Sequence, residues 1–349
     1  MFAPFRVLAV WLLALGAAQA APEAVPLYRE IKDWVVACDN QRGCQALSAR
    51  ESSDYSSLRL LLERAAGPEG LLSLRLIYAG QPPSFPLLLD GRPLPELLTG
   101  SLRKVPDDSA LILRAEGKAV HALLAELRNA DRLSMLLVDD PEAEVSLAGL
   151  SAVLLLMDSV QGRLETRGAL YRPGDRSDTE VPPAPGLPVL PAYPGAAPLA
   201  PEEAERIRQA VMLAARDPAQ EEEMDQAPVG EAFALNEREA LVLVRSWCAA
   251  YNCEFALYRV LRQPPYEEVD LRLDPLPLNG SEPAGWVHYD LSTGVLEYRV
   301  KARGVGDCGE SGSWRFDGER FRVQAYRLMS RCASGDPGEW PALWRVAGD

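Results

Sequence analysis

The stretch Ser313-Trp314-Arg315-Phe316-Asp317-Gly318-Glu319-Arg320-Phe321-Arg322-Val323-Gln324-Ala325-Tyr326 alternates apolar and polar side chains on both sides of an Asp-Gly pair. Successive strand side chains point to opposite faces, and Asp-Gly readily adopts the positive φ that a tight turn needs. The stretch therefore predicts an antiparallel hairpin with one buried face. A similar hairpin precedes it, with Gly285 to Asp290 and Leu296 to Val300 flanking Ser292-Thr293-Gly294, and Trp344-Arg345-Val346 offers a closing strand. From about residue 235 the chain reads as strand and turn, which predicts a β-rich carboxy-terminal domain over 235–349.

Upstream, Pro201 to Arg216 reads as an amphipathic helix whose Glu202, Glu203 and Glu205 complement the helix dipole, and Asp217-Pro218 stops it. The run Glu221-Glu222-Glu223-Met224-Asp225 reads as a solvated loop, so 201–234 is a short helix and acidic loop. Nine prolines fall in the 29 residues from Pro173 to Pro201. Proline removes a main-chain donor and favours extended geometry, so 173–200 reads as a semi-rigid linker.

Residues 25–172 combine strands with two helices. Asp33 to Cys38 and Leu71 to Tyr78 read as strands, Leu87 to Leu89 with Arg92 to Leu94 as a hairpin about Asp90-Gly91, and Arg132 to Val138 as a further strand. Val120, Leu123, Leu124 and Leu127 recur at helical spacing, as do Leu150, Val153, Leu154, Met157 and Val160, giving two helices with one buried face each. The predicted class is α+β, mainly antiparallel β: an amino-terminal sheet domain with two helices, a proline-rich linker, and a carboxy-terminal domain of hairpins held by local disulfides.

Arg6 precedes an apolar run from Val7 to Ala14 and a small-residue site at Ala18-Gln19-Ala20, the pattern of a cleavable secretory signal over 1–20. The run is too short to span a bilayer, no later segment is long and apolar enough to do so, and the expected product is periplasmic. In an oxidising compartment the six cysteines are expected to pair. Six cysteines allow 15 connectivities, and local bridges are the economical choice: Cys38 with Cys44, Cys248 with Cys253, and Cys308 with Cys332. Without a Cys-x-x-Cys motif, redox catalysis is not expected.

Fifty acidic against 36 basic residues give a net charge of −14, which repels phosphate backbones and argues against a nucleic-acid partner. Two histidines, His121 and His288, leave little material for a His-rich zinc site or a Ser-His-Asp triad. Gly304-Val305-Gly306-Asp307-Cys308-Gly309 matches Gly-x-Gly-x-x-Gly, but a hairpin follows it rather than the helix whose amino terminus would hold a pyrophosphate. The loop still concentrates polar residues, and Arg303, Asp307, Glu310 and Trp314 are the candidate binding residues. Asp307, Glu310, Asp317 and Glu319 are also close enough in sequence to raise paired-carboxylate hydrolysis. No EF-hand loop is present, and no metal or other cofactor is expected.

Lys32-Asp33-Trp34-Val35-Val36-Ala37-Cys38-Asp39-Asn40, with Cys44 and Ala46, resembles the opening of the bacterial domain-of-unknown-function family 1176. Val145 to Leu170, Ala250-Tyr251-Asn252, Lys301 to Gly309 and Trp314 to Gly318 resemble later blocks of that family. The amino-terminal half is also similar to the invasion-associated locus B family of small exported proteins. Cys253 stands where the resemblance has no cysteine, so it leaves the pairing of Cys248 with Cys253 open. The resemblance implies a periplasmic protein of a family without an established activity, and it carries over no catalytic residue. The expected role is non-catalytic: binding of an envelope or periplasmic protein or a small ligand. The alternatives are an envelope-directed hydrolase and an enzyme inhibitor acting through the Cys308 loop.

Overall fold

The computed structural model describes residues 24–50, 57–140, 143–215, 227–333, 335 and 337–348. The signal over 1–20, the helix stop at Asp217-Pro218 and the acidic run Glu221 to Asp225 lie outside them.

Seven antiparallel strands make the first sheet, in the spatial order Leu27–Ile31, Trp34–Cys38, Cys44–Ser48, Leu58–Arg64, Leu72–Tyr78, Leu111–Glu116 and Arg103–Val105. Period-two alternation turns Leu60, Leu62, Leu74, Leu76 and Leu113 to one core, and the helices Lys118–Leu127 and Leu150–Val160 bury their predicted stripes in it. A small sheet of Glu144–Ser146, Arg132–Met135, Leu87–Leu89 and Arg92–Pro93 completes this half.

The carboxy-terminal half has two antiparallel sets of strands. One runs Val229–Ala234, Glu239–Cys248, Cys253–Leu261 and Glu268–Val269; the other runs Trp286–Asp290, Val295–Lys301, Gly309–Phe316, Phe321–Met329 and Ala342–Trp344. A bridge between Cys253 and Gly285 joins them. The Asp-Gly hairpin forms as read, with Phe316 opposite Phe321 and Gly318 at φ +100°. Strand structure begins at Val229, earlier than the composition suggested, because Gly230 and the alternating Glu231, Phe233 and Ala234 pair with Leu241 to Val244 and Ala240. Aromatic rings dominate this core, including Tyr289, Tyr298, Trp314, Phe316, Phe321 and Tyr326. The helix Pro201–Ala214 seats Ile207 and Val211 on Ala240, Val242, Val244 and Val260.

Trp34–Cys38 belongs to both halves. Trp34, Val36 and Cys38 face the amino-terminal core, Ala37 faces the aromatic core, and Val35 packs with Cys308, Met329 and Trp340 in a small joint core. A strand covered on both faces must be apolar throughout, which is the physical reason for the run Trp34-Val35-Val36-Ala37-Cys38. Polar contacts surround the joint. Arg331 donates to the carbonyls of Lys32 and Ala49 and pairs with Glu30 at 2.8 Å, while Asn40 and Arg345 exchange hydrogen bonds of 2.9 and 3.0 Å.

The proline-rich stretch packs as an extended strap. Gln41 donates to the Pro185 carbonyl at 3.2 Å, Ala347 N–H to the Pro188 carbonyl at 2.9 Å, and Tyr193 packs against the aromatic core. All three local disulfides are present, Cys38–Cys44, Cys248–Cys253 and Cys308–Cys332.

Candidate functional site

The Cys308 loop connects Val295–Lys301 to Gly309–Phe316, so a strand follows the glycines and no helix terminus stands ready for a phosphate. Gly309 has φ +145°, and a Cβ there would lie 2.0 Å from the Val300 carbonyl oxygen, so glycine is required. Asn252 fixes the loop's near end by donating to the Lys301 carbonyl at 2.7 Å and accepting its N–H at 3.1 Å. This places Ala250-Tyr251-Asn252 beside Lys301 to Gly309.

The four candidate binding residues fall into three surroundings. Arg303 grips Asp307 with two hydrogen bonds of 2.8 and 2.5 Å, and the Asp307 side chain has no exposed area. Glu310 accepts from the Tyr326 hydroxyl at 2.7 Å and the Ser281 N–H at 3.1 Å. Burial, reinforced by the Glu310 charge, pushes the Tyr298 and Tyr326 hydroxyls well above the usual phenol range, so both stay protonated. Trp314 is buried, stacks on Tyr298 with ring centroids 5.6 Å apart, and donates to the Asp274 carbonyl at 2.8 Å. The structure thus brings Arg303 and Asp307 together and places Glu310 and Trp314 in neighbouring but different contacts. Asp317 is held by Arg322 at 2.7 Å, and Glu319 lies 3.5 Å from Arg272. Asp307, Cys308 and Cys332 have donor atoms within 4.8 Å of one another, but the two sulfurs are bonded together and Asp307 is paired with Arg303.

A cleft of about 600 Å³ lies where the strap crosses the carboxy-terminal half. Pro188-Val189-Leu190-Pro191 forms one wall; Pro275, Val323 and Trp344 form the other, with Asp274 and Arg322 as its charged groups and Pro26 at its edge. Strap and strand ends fix this shape. Ala347 holds Pro188, Trp314 holds the Asp274 carbonyl, and Asp274 N–H donates to the Phe321 carbonyl at 2.8 Å. The Asp274 carboxylate lies 3.5 Å from Arg320 and 3.8 Å from Arg322, and it accepts no hydrogen bond among the described residues. Concave, mostly apolar walls with a few polar groups are the usual make-up of a ligand site.

Trp344 was legible as part of a closing strand, but its meeting with Asp274, Arg322 and the Val189-Leu190 edge escaped the sequence reading, because four distant segments come together there without any spacing rule. The prolines were the available signal, since a proline run that packs must present an extended wall.

A smaller cavity of about 350 Å³ lies in the amino-terminal half beside Leu155, Leu164 and Tyr171, with Asp158 in its lining. Asp158 accepts from the N–H groups of Leu170 and Tyr171 at 2.8 and 2.9 Å and lies 3.6 Å from Arg64. Burial raises the Asp158 pKa, and burial beside Arg163 pushes Arg64 down to about 10. Gln161 donates to the Arg42 and Arg64 carbonyls at 2.9 and 3.0 Å, and Arg163 to the Gly67 carbonyl. The block 157–163 therefore ties a helix end to surrounding loops.

A family model described as a protein of unknown function, DUF1176, matches residues 28–347. An uncharacterized protein of Escherichia coli strain K12, YpfG, is 30% identical over 342 residues, which is 92% of this chain and 93% of that protein. The crystal structure of invasion associated protein B from Bartonella henselae is 16% identical and covers 39% of this chain and 99% of its own, with a TM-score of 0.24, at which the likeness supports no conclusion.

Proposed function

From the premise that this chain belongs to the DUF1176 family of proteins of unknown function, we propose that it is a non-catalytic binding protein of the bacterial envelope that takes its ligand in the cleft between the proline strap and the carboxy-terminal sheet. The observation that carries this reading is the preformed apolar cleft with the underused Asp274 carboxylate in its lining. Three disulfides are compatible with export, and among the described residues no helix is long and apolar enough to cross a membrane. Periplasmic residence after cleavage behind Ala20 belongs to the same proposal, as does the division into 25–172, 173–200, 201–234 and 235–349. Amino-terminal sequencing of osmotic-shock fluid, which should return a chain starting at Ala21, tests the location.

Binding is tested with the mature protein and 8-anilinonaphthalene-1-sulfonate, an apolar anionic dye. Saturable fluorescence enhancement is expected in the wild type and in Arg303→Ala, and its loss in Val323→Glu and Trp344→Ala. Dye binding indifferent to both cleft changes would remove the cleft as the site.

The Cys308 loop supports a second reading, because Val305 is 66% exposed at the tip of a disulfide-held loop. In an inhibitor, Arg303, Asp307, Glu310 and Trp314 would set the loop's shape and Val305 would meet the target. Val305→Asp would then abolish inhibition of an envelope hydrolase and leave dye binding unchanged.

A further inference from the structure

Resting on the binding reading of the same cleft, we infer that its ligand is an extended peptide with a lysine or arginine among apolar residues, docked along the strap at Val189 and Leu190. Three observations converge on this chemistry. The strap runs extended here, and the N–H and carbonyl groups of Val189 and Leu190 make no hydrogen bond among the described residues. Pro188 and Pro191, which lack N–H groups, bracket this two-residue edge. Successive residues of an extended chain turn their main-chain groups to opposite sides, so an added peptide strand pairs with the N–H and carbonyl of one of these two residues.

The second observation is apolar. Val189 is 81% exposed, and it faces solvent beside a cleft whose other wall includes Val323 and Trp344. Alternate side chains of a strand point to opposite sides, so a peptide paired with the strap can send every second side chain into the cleft. A compact apolar molecule would fill the same volume but cover the strap's free N–H and carbonyl groups without replacing their bonds to water, which is unfavourable. A peptide carries the missing partners in its own backbone.

The third observation is electrostatic. Asp274 has its two arginines at 3.5 and 3.8 Å, outside good hydrogen-bond distance, and Arg322, which also lines the cleft, gives its close hydrogen bond to Asp317 at 2.7 Å, so the Asp274 carboxylate retains accepting capacity. A lysine or arginine side chain can occupy that capacity, and the net charge of −14 favours the approach of a basic partner.

The test pans a random nonapeptide phage library against the full mature chain, with Val323→Glu and Val189→Asp proteins as counter-selections. Val189 is too exposed for its replacement to threaten folding, so the second variant keeps the experiment decisive if the first fails to fold. The expected harvest is apolar peptides with one lysine or arginine. N-methylating the pairing amides of the leading synthetic peptide should weaken it at least tenfold. Asp274→Asn should weaken it several-fold, and exchanging the peptide's lysine for norleucine should abolish that difference.

Enrichment that both counter-selection proteins match, or an N-methylated peptide that binds as well as its parent, overturns the inference. If the dye binds in the cleft and no peptide is enriched, the peptide assignment falls and the binding reading stands. If the dye also ignores the cleft variants, both fall.

Discussion

The Cys308 loop and the strap cleft lie in the same half of the molecule and use the same kinds of residue to opposite effect. In the loop, Arg303 and Asp307 satisfy each other, Glu310 is engaged by Tyr326 and Ser281, and Trp314 is buried against Tyr298. In the cleft, an aspartate keeps accepting capacity and a strap keeps main-chain groups without a hydrogen bond among the described residues beside apolar walls. A local concentration of polar residues in a sequence marks a place where charges can meet, and meeting one another uses up their capacity for a ligand. Recognition depends on what remains unpaired after folding.

If the loop serves stability and the cleft serves binding, damage to each should be read by a different instrument. The largest effect is expected from the double change Cys308→Ala and Cys332→Ala. Opening a bridge of sequence separation 24 removes about 3.5 kcal/mol in the chain-entropy account, and this one ends in the joint core with Val35 and Trp340. Urea unfolding should show that loss, with dye affinity in the still-folded protein within about twofold of the wild type, since none of the cleft's walls includes either cysteine. An unchanged urea midpoint would break the comparison on the loop side.

Asp307→Ala comes next. It leaves the Arg303 guanidinium, itself about one quarter exposed, beside a buried space with its main partner gone, and about 2 kcal/mol should be lost. Arg303→Ala with Asp307→Ala should lose less than Asp307→Ala alone, because no unpaired charge is left behind. A double variant no more stable than the single one would mean that Asp307 acts through other contacts.

Part of this organisation was legible from the chain alone. The hairpin about Asp317-Gly318 and the helices from Lys118 and Leu150 follow from periodicity, since each buries one face against one core. Strand Trp34–Cys38 was legible as a strand but not as a shared one, because an all-apolar run looks the same whether one partner or two will cover it. Of the proline-rich stretch, 182–200 runs extended as its composition implies, whereas 173–181 folds back through the Thr166–Arg176 bridge and a 3-10 turn at Asp178–Glu180. The attachment of the extended part depends on Gln41 and Ala347, 144 residues before Pro185 and far beyond Pro188 respectively, and no local rule connects these positions. The same holds for the cleft: Asp274, Trp344 and Val189 become neighbours only through the fold.

The cleft side of the comparison predicts a smaller stability effect with a clear binding signature. Asp274→Asn preserves the side-chain shape and removes a charge that makes no close hydrogen bond, so unfolding free energy should stay within about 0.5 kcal/mol of wild type. Calorimetric unfolding measures this directly. A loss comparable to that of Asp307→Ala would show that the two arginines near Asp274 are structurally engaged, and the contrast between the two regions would vanish.

The smallest expected effect concerns the joint that supports both regions. Glu30 accepts from the Ser330 hydroxyl and pairs with Arg331 at 2.8 Å; the Ser330 bond first, then Arg331, hold its carboxyl below the ordinary value of 4.5 despite partial burial. A carboxylate with a depressed native pKa adds stability that is present in full above its unfolded value and disappears as pH falls through the native one. Glu30 is 39% exposed, so solvent screening keeps the contribution below about 1 kcal/mol. The difference in unfolding free energy between wild type and Glu30→Gln should therefore be small and positive at pH 7 and shrink toward zero by about pH 3. Growth of that difference on acidification would reverse the sign and exclude the Ser330 and Arg331 contacts as its source. Disappearance as expected would mean that Glu30, through Ser330 and Arg331, ties the chain's own edge strand to the carboxy-terminal half only while its carboxylate is charged, so the joint carries an acid-sensitive contact of its own.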